Sequence, residues 1–504
     1  MSFASRLERW WVALPLLTLV LLFPTLVHQR PFVFWDTEQY YDYGGELFGA
    51  LNYLLGSPAA GVAPQTTDLE QRAAPADEAP AGDRTHFEQK SMVAGVTYYG
   101  ARSPFYSAWL YATAQVLGLW GVVITQAAAI AWLIWRAATF VAPERRFATA
   151  LATTGIATLG STAWFVAGFV MPDAYAAIGL LCIALLFAFA DKMGIGERLA
   201  LVALLAASAA FHTTHLATAA AVGALGTALL LRSDNKLRLR RAGLAIAAAL
   251  AIVAAAQLVF DAASRAALGT SVKRPPFLMA RIIDDGPGWR YLNEVCPQKE
   301  SFAVCKYRDR EGVRGANEFL WDGEIGVFTT LPYEGRIELI EEEWRFVAAV
   351  FRKYPIETVG AAAANVLELL THVAPLEAWV DPGAVFKMPS FERASLFEVA
   401  PFLYQCVSAP RSCMPTIPYS LVLVVVAATT IVSLGTIAAH FLVRTRTIVS
   451  AAQGDDTYDR VVLFSLVVLC GLLVNAVLCG AVSGPFYRYQ ARVIWLTVVA
   501  AALL

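Results

Sequence analysis

Apolar runs long enough to cross a bilayer recur along the whole chain, separated by short polar breaks. About 20 apolar residues in a helix span the hydrocarbon core. The runs predict about ten transmembrane helices: Trp10–Val27, Leu119–Ala138, Ala148–Met171, Ala174–Ala190, Leu199–Phe211, Leu216–Leu231, Ala242–Phe260, Tyr419–Val443, Val461–Val482 and Ala491 to the end. Gly and Ala are frequent inside them, as helix packing in lipid favours. No small-residue cleavage site follows the first run, which therefore predicts an uncleaved span. The last run is short, and a start near Phe486 would lengthen it. The fold class expected is an α-helical polytopic membrane protein with juxtamembrane helices and an outer-face domain.

Charge assigns the sides. With the N-terminus inside, the inner loops are Arg136–Arg146, Asp191–Arg198, Arg232–Arg241 and Arg444–Arg460, and each carries Arg or Lys. The short outer breaks at Met171–Asp173 and His212–His215 carry neither, so the positive-inside rule agrees with the alternation of spans. The expected organisation is an N-terminal membrane region (1–260), an outer segment (261–418) and C-terminal spans (419–504). A first outer loop, 28–104, interrupts the membrane region. Its Ser57–Lys90 part is rich in Ala, Pro and acids and cannot bury a core, so 57–90 is expected to be partly disordered.

Tyr106–Leu117 predicts an amphipathic stretch along the outer interface. In the large outer segment, apolar residues at helical spacing predict a helix over Glu334–Arg352. Tyr354-Pro355 breaks it, and a second helix follows over Ile356–His372, the pair resting on the bilayer. No internal repeat is evident, which weakens an inverted-repeat transporter.

Composition adds little to this pattern: 58% of residues are hydrophobic, 16% are charged, and the formal net charge is −1. The scattered basic residues give no nucleic-acid signal. Cysteine placement says more. Cys296 and Cys305, and Cys406 and Cys413, form two local pairs in the outer segment, which an oxidising exterior turns into disulfides. Zinc is the rival reading, without Cys-x-x-Cys spacing to support it. Cys182, Cys470 and Cys479 fall in spans, where packing is their expected role.

The unusual polar residues cluster on the expected outer face. Asp36 and Glu38 sit among Trp35, Tyr40, Tyr41 and Tyr43 just after the first span. A carboxylate there can take a proton from an attacking hydroxyl or hold a metal; equally, the segment reads as an interfacial aromatic belt. Asp173, after Met171-Pro172, reads as a helix cap or as a second site acid. His212 and His215 interrupt an apolar stretch at i, i+3 spacing, which suits a metal, a phosphate or a structural pair. Arg102, and the run Tyr487-Arg488-Tyr489-Gln490-Ala491-Arg492, place arginines where they can snorkel or grip a phosphate in bidentate fashion. His28 and Arg30 read as headgroup contacts.

Trp35-Asp36-Thr37-Glu38-Gln39-Tyr40, Arg102-Ser103-Pro104-Phe105-Tyr106, Pro172-Asp173 and Phe486-Tyr487-Arg488-Tyr489 occur in that order. In this respect the chain resembles the polytopic, lipid-dependent glycosyltransferases of the GT-C fold class. The resemblance covers the order of elements over about the first 180 residues and the final 25. It implies Asp36 as the base for the acceptor hydroxyl and Asp173 as the second acid, with Arg102 and Arg488 on the donor phosphate. It also implies a polyprenyl-phosphate sugar as donor. Pro276–Leu292 and the His-Thr-Thr-His turn have no counterpart in that family.

The expectation is a bacterial inner-membrane enzyme, active on the periplasmic face, that moves a sugar to a glycan, lipid or protein acceptor. A divalent cation is an open possibility, and membrane lipids are the natural surroundings. Rival readings are an envelope acyltransferase using His212 or His215, and a non-enzymatic lipid-linked glycan transporter or assembly protein. The transporter would need ionisable residues within the spans, and there are few.

Overall fold

The computed structural model describes residues 8–54, 102–230, 236–268, 271–298, 302–379, 396–449 and 456–504. The expected loop at Ser57–Lys90 lies outside the described residues. Among those described the chain is helical, with one isolated parallel bridge between Phe32 and Phe169 and no sheet.

The first part of the bundle comprises α1 (Trp10–Val27), α2 (Trp35–Leu54), α3 (Pro104–Val141), α4 (Arg146–Gly160), α5 (Ala163–Gly168) and α6 (Asp173–Phe189). It continues with α7 (Ile195–Phe211), α8 (Thr213–Leu230) and α9 (Lys236–Leu268). The segment after it contributes α10 (Phe277–Asp284), α11 (Pro287–Val295), α12 (Ala316–Trp321), α13 (Tyr333–Lys353) and α14 (Pro355–Thr371). Two short helices follow, α15 (Leu396–Val399) and α16 (Leu403–Ser408), before α17 (Tyr419–Val449), α18 (Asp456–Val482), α19 (Tyr487–Ile494) and α20 (Leu496–Leu503).

Five of these, α1, α3, α9, α17 and α18, contain stretches long and apolar enough to cross a membrane. Leu258, Val259, Ile431 and Val432 stand exposed on them, as side chains facing lipid do. The chain is therefore a multi-pass membrane protein in its helical composition. By contrast, every residue of α6 is buried, so this 17-residue helix runs through the middle of the bundle without a lipid face.

The expected span Ala148–Met171 is not one helix. It ends at Gly160, resumes for one short turn-and-a-half in α5, and then becomes extended at Phe169. The carbonyls that the break exposes are met from a distance. Gln126 of α3 donates to the Ala167 and Phe169 oxygens at 2.8 Å each, and Thr162 donates to the Ala491 oxygen at 2.6 Å. A buried backbone group without a partner would be costly, so this glutamine makes the break tolerable.

The expected interfacial stretch Tyr106–Leu117 is the first part of α3. It bends into the span at Gly118, whose φ of +62° glycine adopts without strain. The stretch is two-faced as expected: Tyr106, Ser107, Leu110 and Ala114 are buried, while Val116 and Leu117 are exposed. The fit against α2 is close: a Cβ on Gly44 would collide with the Ser107 carbonyl.

α13 and α14 match the two expected outer helices, broken at Tyr354-Pro355. The segment 261–418 divides between two cores among its described residues. Residues from Met279 to Tyr354 form their own cluster, with Phe319, Phe346 and Leu339 at its centre and the Cys296–Cys305 disulfide within it. Ala374, Leu396, Phe397, Leu403 and Cys406 instead join the main bundle core. Both expected disulfides are formed, Cys406 pairing with Cys413. His28 stacks on Phe32 at 4.7 Å, and half-buried Arg30 donates to Cys413 Sγ at 2.9 Å.

Candidate functional site

The break after α5 positions the start of α2. The Phe32 N–H donates to the Gly168 oxygen at 2.9 Å, and the Val170 N–H donates back to the Phe32 oxygen at 2.8 Å. The Thr37 hydroxyl then donates to the Val170 oxygen while accepting from the Phe34 N–H, at 3.0 Å each. Asp36 is thereby fixed in the first turn of a helix.

Two arginines distant in sequence meet this carboxylate, which is only 5% exposed. Arg102 donates through Nη2 to Oδ1 at 2.5 Å, and both terminal nitrogens of Arg488 lie 3.4 Å from Oδ2. Arg102 is held in turn. Its Nε donates to Gln39 at 3.1 Å, and its guanidinium stands 5.7 Å from the Tyr40 ring and 5.8 Å from Trp321. Ser103 caps α3 behind it, with Pro104 at the favoured first position. Burial alone would lower the Arg102 pKa, but Asp36 and the nearby tyrosines leave it raised. Arg488 lies over Phe34 at 4.7 Å.

One helical turn further along α19, Arg492 makes the second ion pair. Its Nη1 donates to Asp173 Oδ1 at 3.3 Å, and Nη2 donates to Thr214, Asn475 and the Cys479 sulfur at 3.2–3.3 Å. The side chains of Arg492 and Asp173 are 2% and 5% exposed. Asp173 makes no cap hydrogen bond; it opens α6 as a counter-ion. Tyr489 links the two pairs, its ring 5.2 Å from Arg488 and 4.8 Å from Arg492. The Tyr40 ring sits among the charges of Arg102, Asp36, Asp173 and Arg488, so Tyr40 belongs to the same site.

The two histidines flank the α7–α8 break, as expected. Thr214 donates its backbone N–H to His212 Nδ1 at 3.2 Å, so His212 caps α8 and the Nδ1 lone pair is occupied. Burial, then the charges of Arg492, Arg488 and Arg102, hold His212 well below the usual histidine pKa, so it stays neutral. His215 lies deeper. Its Nδ1 meets the Ser208 carbonyl oxygen at 3.2 Å, and its Nε2 has no protein partner among the described residues. That ring borders a cavity of about 10 Å³ with Ser208, Thr218 and Asn475, enough for one water.

Two expected site residues stand apart. Glu38 is two positions beyond Asp36, so helical geometry turns it to another side of α2. Its pKa, pushed up to about 8 by burial and then by Asp42, reflects an acidic stripe that continues to Glu46. Tyr487 stacks on His372 at 3.7 Å, away from the ion pairs. One acid was not visible in the sequence: Glu377, from the turn Leu376–Ala378, accepts the Arg488 backbone N–H at 3.3 Å. Burial pushes its pKa up despite Arg488. Asn475 was likewise unmarked, and Cys479, expected only to pack, also accepts from Arg492.

Among the described residues, no three His, Cys, Asp or Glu side chains gather as metal ligands would. What the arrangement offers is a fixed carboxylate between two arginines, with a second ion pair buried behind it. No family model, curated protein or solved structure matches the chain.

Proposed function

We propose that this is a membrane glycosyltransferase of GT-C type. It takes a sugar from a polyprenyl-phosphate donor to an acceptor hydroxyl of the cell envelope. In this reading the bundle crosses the membrane about ten times and the ion-paired end faces the periplasm. The observation that carries the reading is the convergence of Arg102 and Arg488 on buried Asp36.

A donor phosphate entering the site competes with Asp36 for the two guanidinium groups, which are shaped for bidentate phosphate binding. As they turn to the phosphate, Asp36 is released from its ion pairs and takes the proton of the acceptor hydroxyl. The acceptor oxygen bonds to the anomeric carbon. The bond from that carbon to the phosphate oxygen breaks, and its electron pair leaves with the polyprenyl phosphate. Arg102 and Arg488 neutralise the charge that develops there. Asp173 and Arg492 hold α19 so that Arg488 is aimed. No step requires a cation, and no residues are assigned to one.

His212 is a poor base for the rival acyl transfer, because its Nδ1 lone pair accepts from Thr214. The test is transfer of labelled sugar from polyprenyl-phosphate donors by reconstituted protein. Asp36→Asn should lower the rate by at least about 10²-fold while phosphate-lipid binding persists. Full activity in that variant would overturn the reading, and loss on His215→Ala alone would favour acyl transfer.

A further inference from the structure

We propose that Glu377 recognises a hydroxyl of the donor's sugar, beside the arginine that holds its phosphate. The inference rests on the glycosyltransferase reading and adds a specificity residue to it. Glu377 is built into a stiff turn. The Trp379 N–H donates to the Leu376 oxygen at 2.8 Å, and the Trp379 indole donates to the Ile417 oxygen at 2.9 Å. The carboxyl uses Oε1 to accept from the Arg488 backbone N–H at 3.3 Å. Its Oε2 is buried and has no hydrogen-bond partner among the described residues.

A buried carboxyl oxygen left unsatisfied is costly, and such atoms mark places where a ligand completes the hydrogen bonding. The surrounding charge decides which ligand. Arg488 is the cation that faces Glu377, and its charge disfavours an ammonium group there. A hydroxyl is neutral and can donate to a carboxylate or accept from a carboxylic acid, so it satisfies Glu377 in either protonation state. The side chain of Arg488 faces Asp36 while its backbone N–H faces Glu377. A phosphate at the guanidinium therefore carries its sugar past Glu377 on one side and Asp36 on the other. A site built to hydrogen-bond a hydroxyl discriminates strongly against ligands that lack it.

The experiment measures binding to the full-length protein in nanodiscs. The probes are farnesyl phosphate and a panel of farnesyl phosphoryl hexoses and pentoses. The wild type should bind at least one sugar-bearing lipid about tenfold more tightly than farnesyl phosphate. Glu377→Ala and Glu377→Gln should lose that preference and keep the farnesyl phosphate affinity within about twofold, which also shows that they are folded. Arg488→Ala should weaken both classes of probe. A preference retained in the Glu377 variants, or no preference in the wild type, overturns the role of Glu377 and leaves phosphate binding standing. Failure of the wild type to bind farnesyl phosphate at all overturns the glycosyltransferase reading itself.

Discussion

The Asp173–Arg492 pair allows a decisive separation of structural from chemical roles. Both side chains are almost wholly buried, and the remaining partners of Arg492 are neutral: Thr214, Asn475 and Cys479. Removing the carboxylate in Asp173→Ala strands a guanidinium charge inside the bundle. Breaking a buried pair this way costs about 3–5 kcal/mol, far more than the pair's net worth. Asp173→Asn keeps an acceptor near Nη1 and should cost less. Arg492→Met alone leaves the Asp173 charge stranded, whereas the double variant Asp173→Asn/Arg492→Met removes both charges and should recover much of the loss. Reversible unfolding in bicelles with an ionic detergent reads each stability, and the cycle should give a coupling of at least about 1–2 kcal/mol. If Asp173→Ala costs under about 1 kcal/mol, or the cycle shows no coupling, then α19 is not anchored by this pair. Asp173 would then have to be reconsidered as a residue that meets substrate.

Two further outcomes follow from other parts of the molecule. Glu38 has its folded pKa raised to about 8, so its protonated form fits the fold. That contribution is complete below the unfolded value near 4.5 and is lost as pH rises through about 8. Glu38→Gln should therefore become the more stable form progressively across this window, on the order of a few kcal/mol by pH 9; parallel wild-type and variant curves would refute it. The Cys296–Cys305 bridge closes a loop with a sequence separation of nine within the separate Met279–Tyr354 core. Replacing both cysteines by alanine should lower that region's stability by about 2–3 kcal/mol and speed proteolysis of 271–354, with α3 and α18 still protected; unchanged proteolysis would sink the claim.

Much of the site was legible because charge is conspicuous in an apolar chain. Asp36, Arg102, Asp173, Arg488 and Arg492 each stand beside an apolar run, and the structure joins them in three ion pairs, two of them made from α19. Glu38 misled because sequence proximity to Asp36 is not spatial proximity on a helix. Tyr487 misled for the same reason, next to Arg488 yet stacked on His372. The break in the span at Gly160 was hidden because what permits it, Gln126, lies on another helix. Glu377 was hidden because its turn means nothing until α19 packs against it.

α19 carries Arg488 and Arg492 on adjacent turns, one reaching Asp36 and the other Asp173. The two carboxylates are in consequence geared together through a rod of eight residues. Inserting one alanine between the arginines would rotate them about 100° relative to each other, disengaging one partner whichever way the helix settled. A shift of α19 that moves one arginine therefore moves the other, without any contact between the acids themselves.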